Sequence, residues 1–98
     1  MTTLREVRIA IRKERRAREW TIDKLRDESG ADRKAIHKLE NIKKYPHYAP
    51  EFETVLRLVR ALGMSMAAFF EKIETTAAQE SADAAAQEVD GKRHRLLS

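Results

Sequence analysis

The sequence predicts an all-α fold with five helices. Apolar residues recur at helical spacing in five separate runs, and capping or turn residues separate these runs. The chain has 98 residues and no cysteine, so its core must come from packed helices without help from disulfides or thiolate-bound metals. We expect residues 1–74 to form one domain. Residues 75–98 are rich in Ala, Glu and Gln, and we expect a flexible tail there because large apolar side chains are few.

The first helix is expected over residues 4–19, where the apolar stripe is broken and consists of Leu4, Val7, Ala10, Ile11 and Ala17. Basic residues crowd positions 12–18. Glutamates interspersed among them offer ion-pair partners one turn away, so a solvated face is favoured over a phosphate-binding cluster. Trp20 follows at the helix boundary, where we expect it to pack against the second helix.

Residues 20–41 read as two short helices joined by one glycine. Thr21 and Asp32 are the side chains that can accept the free backbone amides at the start of each helix. Gly30 can adopt a positive φ at little steric cost, so the chain can leave one helix and begin the next within three residues. This arrangement is typical of a helix-turn-helix.

The third helix carries the functional prediction. Its apolar stripe is Ala35, Ile36 and Leu39, and its other faces carry four potentially cationic residues: Arg33, Lys34, His37 and Lys38. Arg and Lys at the start of a helix can donate to guanine O6 and N7 in the major groove, or to phosphates. A solvated basic face is the alternative for this helix taken alone.

The charge is uneven along the chain. Residues 1–48 hold fourteen Lys or Arg against eight Asp or Glu, whereas the remaining residues are close to balance. A positive field of this kind attracts a polyanion, but it does not separate DNA from RNA or from an acidic protein.

Residues 41–50 are expected to form a loop, because Pro46 and Pro50 disfavour helix in the residues before them. The loop carries two lysines and two tyrosines but no acid. These side chains either contact sugar and phosphate after the third helix, or Tyr45 and Tyr48 pack the loop down. The sequence leaves both alternatives open.

The fourth helix is expected over residues 51–62 and ends at Gly63, with the apolar face Phe52, Val55, Leu56, Val59 and Leu62. Ser65 then caps a fifth helix, whose apolar side is Met66, Phe69, Phe70 and Ile73. In the tail, alanines at 80–89 allow a helix that a partner would stabilise.

Residues 4–74 together resemble the lambda-repressor-like, or XRE-type, helix-turn-helix family of prokaryotic and phage regulators. The resemblance rests on Gly30, Ala31 and Asp32, on residues 36–41, and on Pro50 followed by residues 54–66. It implies a five-helix lambda-repressor-like DNA-binding domain whose third helix, at about residues 32–40, reads the major groove.

The resemblance also implies roles for individual residues. Arg33 and Lys34, with Lys38 one turn later, stand where the family reads base edges. Arg15 and Glu40 stand where it often has a structural ion pair.

The chain departs from the family at its usual phosphate clamp. Ile22 replaces the frequent glutamine at the start of the second helix, Arg26 replaces a small residue, and the link before Pro50 is about four residues longer than usual, with Ile42 in place of a glycine. We therefore expect Arg26, Lys43 and Lys44 to replace the clamp, whereas Asn41 stands where the family commonly binds a phosphate. The residues expected to hold the DNA backbone are Thr21, Arg26, His37, Asn41, Lys43, Lys44 and Tyr45.

These observations predict a sequence-specific transcription regulator, acting as a repressor, that binds a double-stranded DNA operator as a homodimer. One alternative is an antitoxin with the same DNA-binding domain, whose tail folds onto a toxin. The other is an adaptor that uses the basic helix-turn-helix to bind a protein. We expect no enzyme activity, cofactor or metal, because the three histidines lack metal spacing and no Gly-rich phosphate loop is present. No apolar run is long enough to span a membrane, so a cytoplasmic location is expected.

Overall fold

The computed structural model describes residues 2–80, which contain five helices and no strand. The helices are α1 (Leu4–Ala17), α2 (Ile22–Ser29), α3 (Arg33–Glu40), α4 (Phe52–Ala61) and α5, which covers residues 66–80. The all-α, five-helix prediction is confirmed over this range. α5 continues six residues past the expected domain boundary at 74, and the rest of the expected tail, 81–98, lies outside the described residues.

Four of the five helices in residues 2–80 begin with a hydrogen bond from a backbone N–H to a capping side chain, whereas α4, which follows Glu51, has none. Thr21 Oγ1 accepts the Lys24 N–H, Asp32 accepts the Ala35 N–H, and Ser65 Oγ accepts the Ala68 N–H. α1 begins with a capping box between Thr3 and Glu6.

The helix ends depend on backbone dihedral angles. Gly30 has a φ of 72° and closes α2 in the left-handed region. α1 ends at Ala17, two residues before the expected Glu19, because Glu19 itself has a φ of 57° and its N–H returns to the Arg16 carbonyl. This early end turns the chain so that Trp20 is half-buried against the core, as expected.

The apolar core draws on every helix: Val7, Ile11, Leu25, Ala31, Ile36, Leu39, Val55, Leu58, Val59, Leu62, Phe69 and Ile73. Three residues of the expected apolar stripes are exposed instead of buried: Leu4, Ala17 and Phe52. Phe52 is 71% exposed and Leu4 is 46% exposed. Each is the first residue of its helix, and Ala17 is the last residue of α1, so all three lie at helix ends. The covered face of α4 includes Leu58, which the sequence analysis left out. None of the helices within residues 2–80 has the length and apolar character needed to cross a membrane.

α3 is fixed to the body of the protein by α1 and α2, both of which pack against it. The Arg15 and Glu40 side chains join α1 to the end of α3 with two hydrogen bonds: Arg15 Nε donates to Glu40 Oε2 at 2.8 Å, and Nη2 donates to Oε1 at 2.7 Å. Both side chains are buried, and the bond to Glu40 raises the pKa of the Arg15 guanidinium despite burial. The ion pair that the resemblance implies is therefore present.

α1 is tied to α4 and α5 by a second charged cluster. Arg18 donates to the Leu62 carbonyl at 2.6 Å, at the C-terminal end of α4. It also pairs with the buried carboxylate of Glu14, which Lys72 of α5 contacts as well. Arg18 thus satisfies a carbonyl at the negative end of α4, and Glu14 of α1 binds a cation of α5.

We expect Glu40→Ala to lower the free energy of unfolding by about 3 to 5 kcal/mol, because it strands the buried guanidinium of Arg15. Urea unfolding followed by circular dichroism measures the loss. Glu28→Ala is the matched control, since Glu28 forms an exposed pair with Lys24 and should cost about 1 kcal/mol or less. Equal effects of the two substitutions would contradict a stabilising role for the Glu40 pair.

The Glu14 carboxyl predicts a pH dependence of stability. Burial raises its pKa, but hydrogen bonds from Arg18 and Lys72 outweigh burial, so the pKa lies below its ordinary value of 4.5. Its contribution to stability is present above pH 4.5 and is lost as the pH falls through the lower folded-state pKa. The difference in unfolding free energy between the parent and Glu14→Gln should therefore shrink below pH 4.5, whereas a constant difference would contradict the linkage.

Candidate nucleic-acid interface

The outer face of α3 carries the four residues that the sequence assigns to it. Ile36 and Leu39 are fully buried, and this orients Arg33, Lys34, His37 and Lys38 so that all four are exposed. The helix has no acid in its first turn. The structure thus presents a short helix with a cationic outer face on a rigid apolar base.

Arg33 is not a free cation. Its Nε donates to Asp23 Oδ1 at 2.7 Å, which joins the start of α3 to the first turn of α2. The bond to Arg33 lowers the pKa of the Asp23 carboxyl. This bond uses one of the five guanidinium donors, so Asp23 can orient Arg33 while the donors on the terminal nitrogens remain available.

Charges on α2 are largely compensated by one another. Arg26 contacts Asp27 at 3.0 Å and Asp23 at 3.5 Å, and Lys24 pairs with Glu28. Arg26 must therefore leave or share its acids if it is to bind a phosphate. Thr21 is exposed and uses its oxygen as a cap, which leaves its hydroxyl hydrogen able to donate.

Tyr45 organises the loop that follows α3. Its ring contacts His37 edge-on at a centroid distance of 6.2 Å, and the ammonium groups of Lys38 and Lys44 lie 5.8 and 5.5 Å from its centre. Tyr48 is half-buried and packs against the core. Tyr45 therefore packs the loop against α3 and Tyr48 packs it against the core, while Lys43 and Lys44 stay exposed.

Asn41 has a structural role at the start of this loop. Its side-chain oxygen accepts the Lys44 N–H at 3.2 Å and closes the turn that ends α3. The amide NH₂ is not engaged by this bond, so it can still donate to a phosphate. Asn41, Lys43, Lys44 and Tyr45 thus form one continuous surface with His37 and Lys38.

Arg8 positions this surface, although the sequence analysis missed it. The side chain is only 2% exposed, and it donates to the carbonyls of Leu39 at 2.7 Å and Lys38 at 2.8 Å. It also donates to the carbonyls of Tyr45 at 2.8 Å and Pro46 at 3.4 Å. One guanidinium therefore caps the C-terminal end of α3 and holds the loop against it.

A sequence signal for Arg8 exists. Arg8 and Arg15 are seven residues apart, so they lie two helical turns apart on the same face as Val7 and Ile11. Burial lowers the pKa of the Arg8 guanidinium, and the Tyr48 hydroxyl partly offsets the shift. A basic residue inside an apolar stripe indicates a buried donor that has found several acceptors.

We expect Arg8→Met to lower the free energy of unfolding by about 3 kcal/mol, because four backbone carbonyls lose a charged donor. Amide exchange should accelerate most in residues 41–48. Arg12→Met is the control, since Arg12 is an exposed arginine on the same helix. Equal stability and exchange in both variants would contradict the positioning role of Arg8.

No family model, curated protein or solved structure matches this chain. The functional argument therefore depends on the geometry of α3, on the loop that Arg8 holds beside it, and on the distribution of charge around both.

Proposed function

We propose that this protein is a sequence-specific DNA-binding transcription regulator with a lambda-repressor-like fold, and that it represses by occupying its operator. The single observation that carries the proposal is α3 itself. Its buried residues fix it to α1 and α2, and its four outward residues are all potential donors without an acid among them.

The dimensions of α3 suit the major groove. An α-helix with its side chains is about 10–12 Å in diameter, and the major groove is about 12 Å wide, so the groove admits the helix. The eight residues of α3 give it a length of about 12 Å. In helix-turn-helix proteins the first residues of the recognition helix contact base edges. Arg33 and Lys34 occupy that position here, and Lys38 follows Lys34 by one turn.

Base reading and backbone contact fall to different parts of this surface. We assign base reading to Arg33, Lys34 and Lys38. Asp23 orients Arg33 by accepting a hydrogen bond from its Nε. Sugar and phosphate contacts are assigned to the residues around α3: Thr21, Arg26, His37, Asn41, Lys43, Lys44 and Tyr45.

A homodimer completes the proposal. One eight-residue recognition helix covers about half of an operator, and helix-turn-helix proteins commonly double it on a two-fold site one turn of DNA apart. This arrangement raises both affinity and specificity without any further domain. The expected operator is therefore a palindrome.

Selection of bound sequences from random DNA duplexes tests the proposal directly, because it returns a palindromic site only if α3 reads bases. Lys34→Ala should then cost about 1 to 3 kcal/mol on the selected site and little on a scrambled duplex. Arg33→Ala should behave in the same way. Arg60→Ala provides a control, since Arg60 is an exposed arginine of α4.

Equal losses on the selected and scrambled duplexes would remove Arg33 and Lys34 from base reading. Binding without any sequence preference would instead favour the adaptor that contacts an acidic protein.

A further inference from the structure

A groove lies between α1 and the loop that follows α3. Its α1 wall carries Arg5, Arg12, Lys13 and Arg16, and its loop wall carries Lys43. We call this the α1–loop groove. It is separate from the outer face of α3, but it begins at Asn41, where α3 ends.

The cations of the α1–loop groove are uncompensated. All five are exposed, and none of their side chains makes a hydrogen bond or ion pair within residues 2–80. The one acid that lines the groove, Glu40, is already bound by Arg15. α2 differs sharply, because its Lys24 and Arg26 are each paired with acids. The α1–loop groove therefore carries five unpaired cations beside the helix-turn-helix.

The spacing of these cations matches a linear polyanion. Arg5, Arg12 and Arg16 are separated by seven and four residues, so they form one stripe about 16 Å long on α1. A DNA strand carries one phosphate per 3.4 Å of helix axis, which gives about five charges over the same length. Arg5, Arg12 and Arg16 supply three cations along this stripe, and Lys13 and Lys43 line the same groove beside it.

The composition of the walls favours a nucleic-acid backbone over an acidic protein. Protein interfaces are depleted of charged residues at their core, whereas here Ile9, Ile42 and Pro46 are outnumbered by cations. Half or more of the hydrogen bonds between proteins and DNA go to phosphate and sugar. Lys43 also belongs to the loop surface beside α3, so the groove is continuous with the candidate interface.

We propose that the α1–loop groove binds the sugar-phosphate backbone of the duplex that flanks the base pairs read by α3. This inference rests on the proposed function and extends it, since the groove supplies affinity that does not depend on sequence. It also gives a physical substitute for the phosphate clamp that the chain lacks at Ile22.

The test compares two double variants. The groove variant carries Arg12→Gln and Arg16→Gln, and the matched control carries Arg57→Gln and Arg60→Gln on α4. Both variants lose two exposed positive charges, and thermal melting checks that both fold. Fluorescence anisotropy measures affinity for a 30-base-pair mixed-sequence duplex over a range of NaCl concentrations. The slope of log K against log salt should become shallower by about 2 in the groove variant and change much less in the control.

A second measurement locates the contact. Neutral methylphosphonates replacing the phosphates that flank the selected operator should weaken binding of the parent protein several-fold. They should have little further effect on the groove variant, because that variant already lacks the arginines that would contact these phosphates.

Each outcome separates the two proposals. If Lys34→Ala relaxes sequence preference but the groove variant keeps the parent salt slope, the groove proposal alone fails. If the groove variant instead loses only its binding to polyglutamate, the groove belongs to an acidic protein and the proposal is overturned. If the parent shows no salt-dependent binding to duplex DNA, both proposals fail.

Discussion

The buried arginines of α1 are the constraint on which the rest of the structure depends. A buried guanidinium must find hydrogen-bond acceptors, and Arg8 and Arg15 find theirs at the C-terminal end of α3. Arg8 binds backbone carbonyls of α3 and the loop, whereas Arg15 binds the carboxylate of Glu40. These bonds set where α3 ends and how the following loop leaves it, so they couple the core to the candidate interface.

The same principle extends to the far end of α1. Arg18 reaches the last carbonyl of α4, and Glu14 joins it to Lys72 of α5. Because carbonyls at a helix C-terminus carry partial negative charge, cations of α1 are well placed to satisfy them. Charged and polar contacts thus join α1 and its C-terminal end to three other helices, in addition to the packing of its apolar residues.

Environment gives residues of one type three different roles in this protein. Arg8 and Arg15 are buried and hold the fold together. Arg26 is half-buried and Arg33 is exposed, and both are paired with acids of α2, which orient them and reduce their net field. Arg12 and Arg16 are exposed without a partner among the described residues, so their charge is free to attract a polyanion. The total charge of the chain says nothing about this division.

The sequence by itself determined the local structure, because the signals involved are local. Thr21, Asp32 and Ser65 cap the helices they precede, and Gly30 has the positive φ that the turn requires. The periodicity of α3 also separated its buried residues from its exposed cations. The Arg15 and Glu40 pair, in contrast, came from a resemblance and not from spacing.

Only the tertiary structure decided which side chains are covered and which charges meet. Phe52 has the right spacing for the core, yet it is exposed as the first residue of α4, whereas Val55, three residues later, is buried. Arg8 lies on the apolar face of α1, but only the fold brings the carbonyls of α3 and of the following loop within reach of its guanidinium. Asp23 meets Arg33 only because the turn at Gly30 brings two helix starts together. Helical spacing defines the faces of a helix, but its neighbours in three dimensions determine what each face contacts.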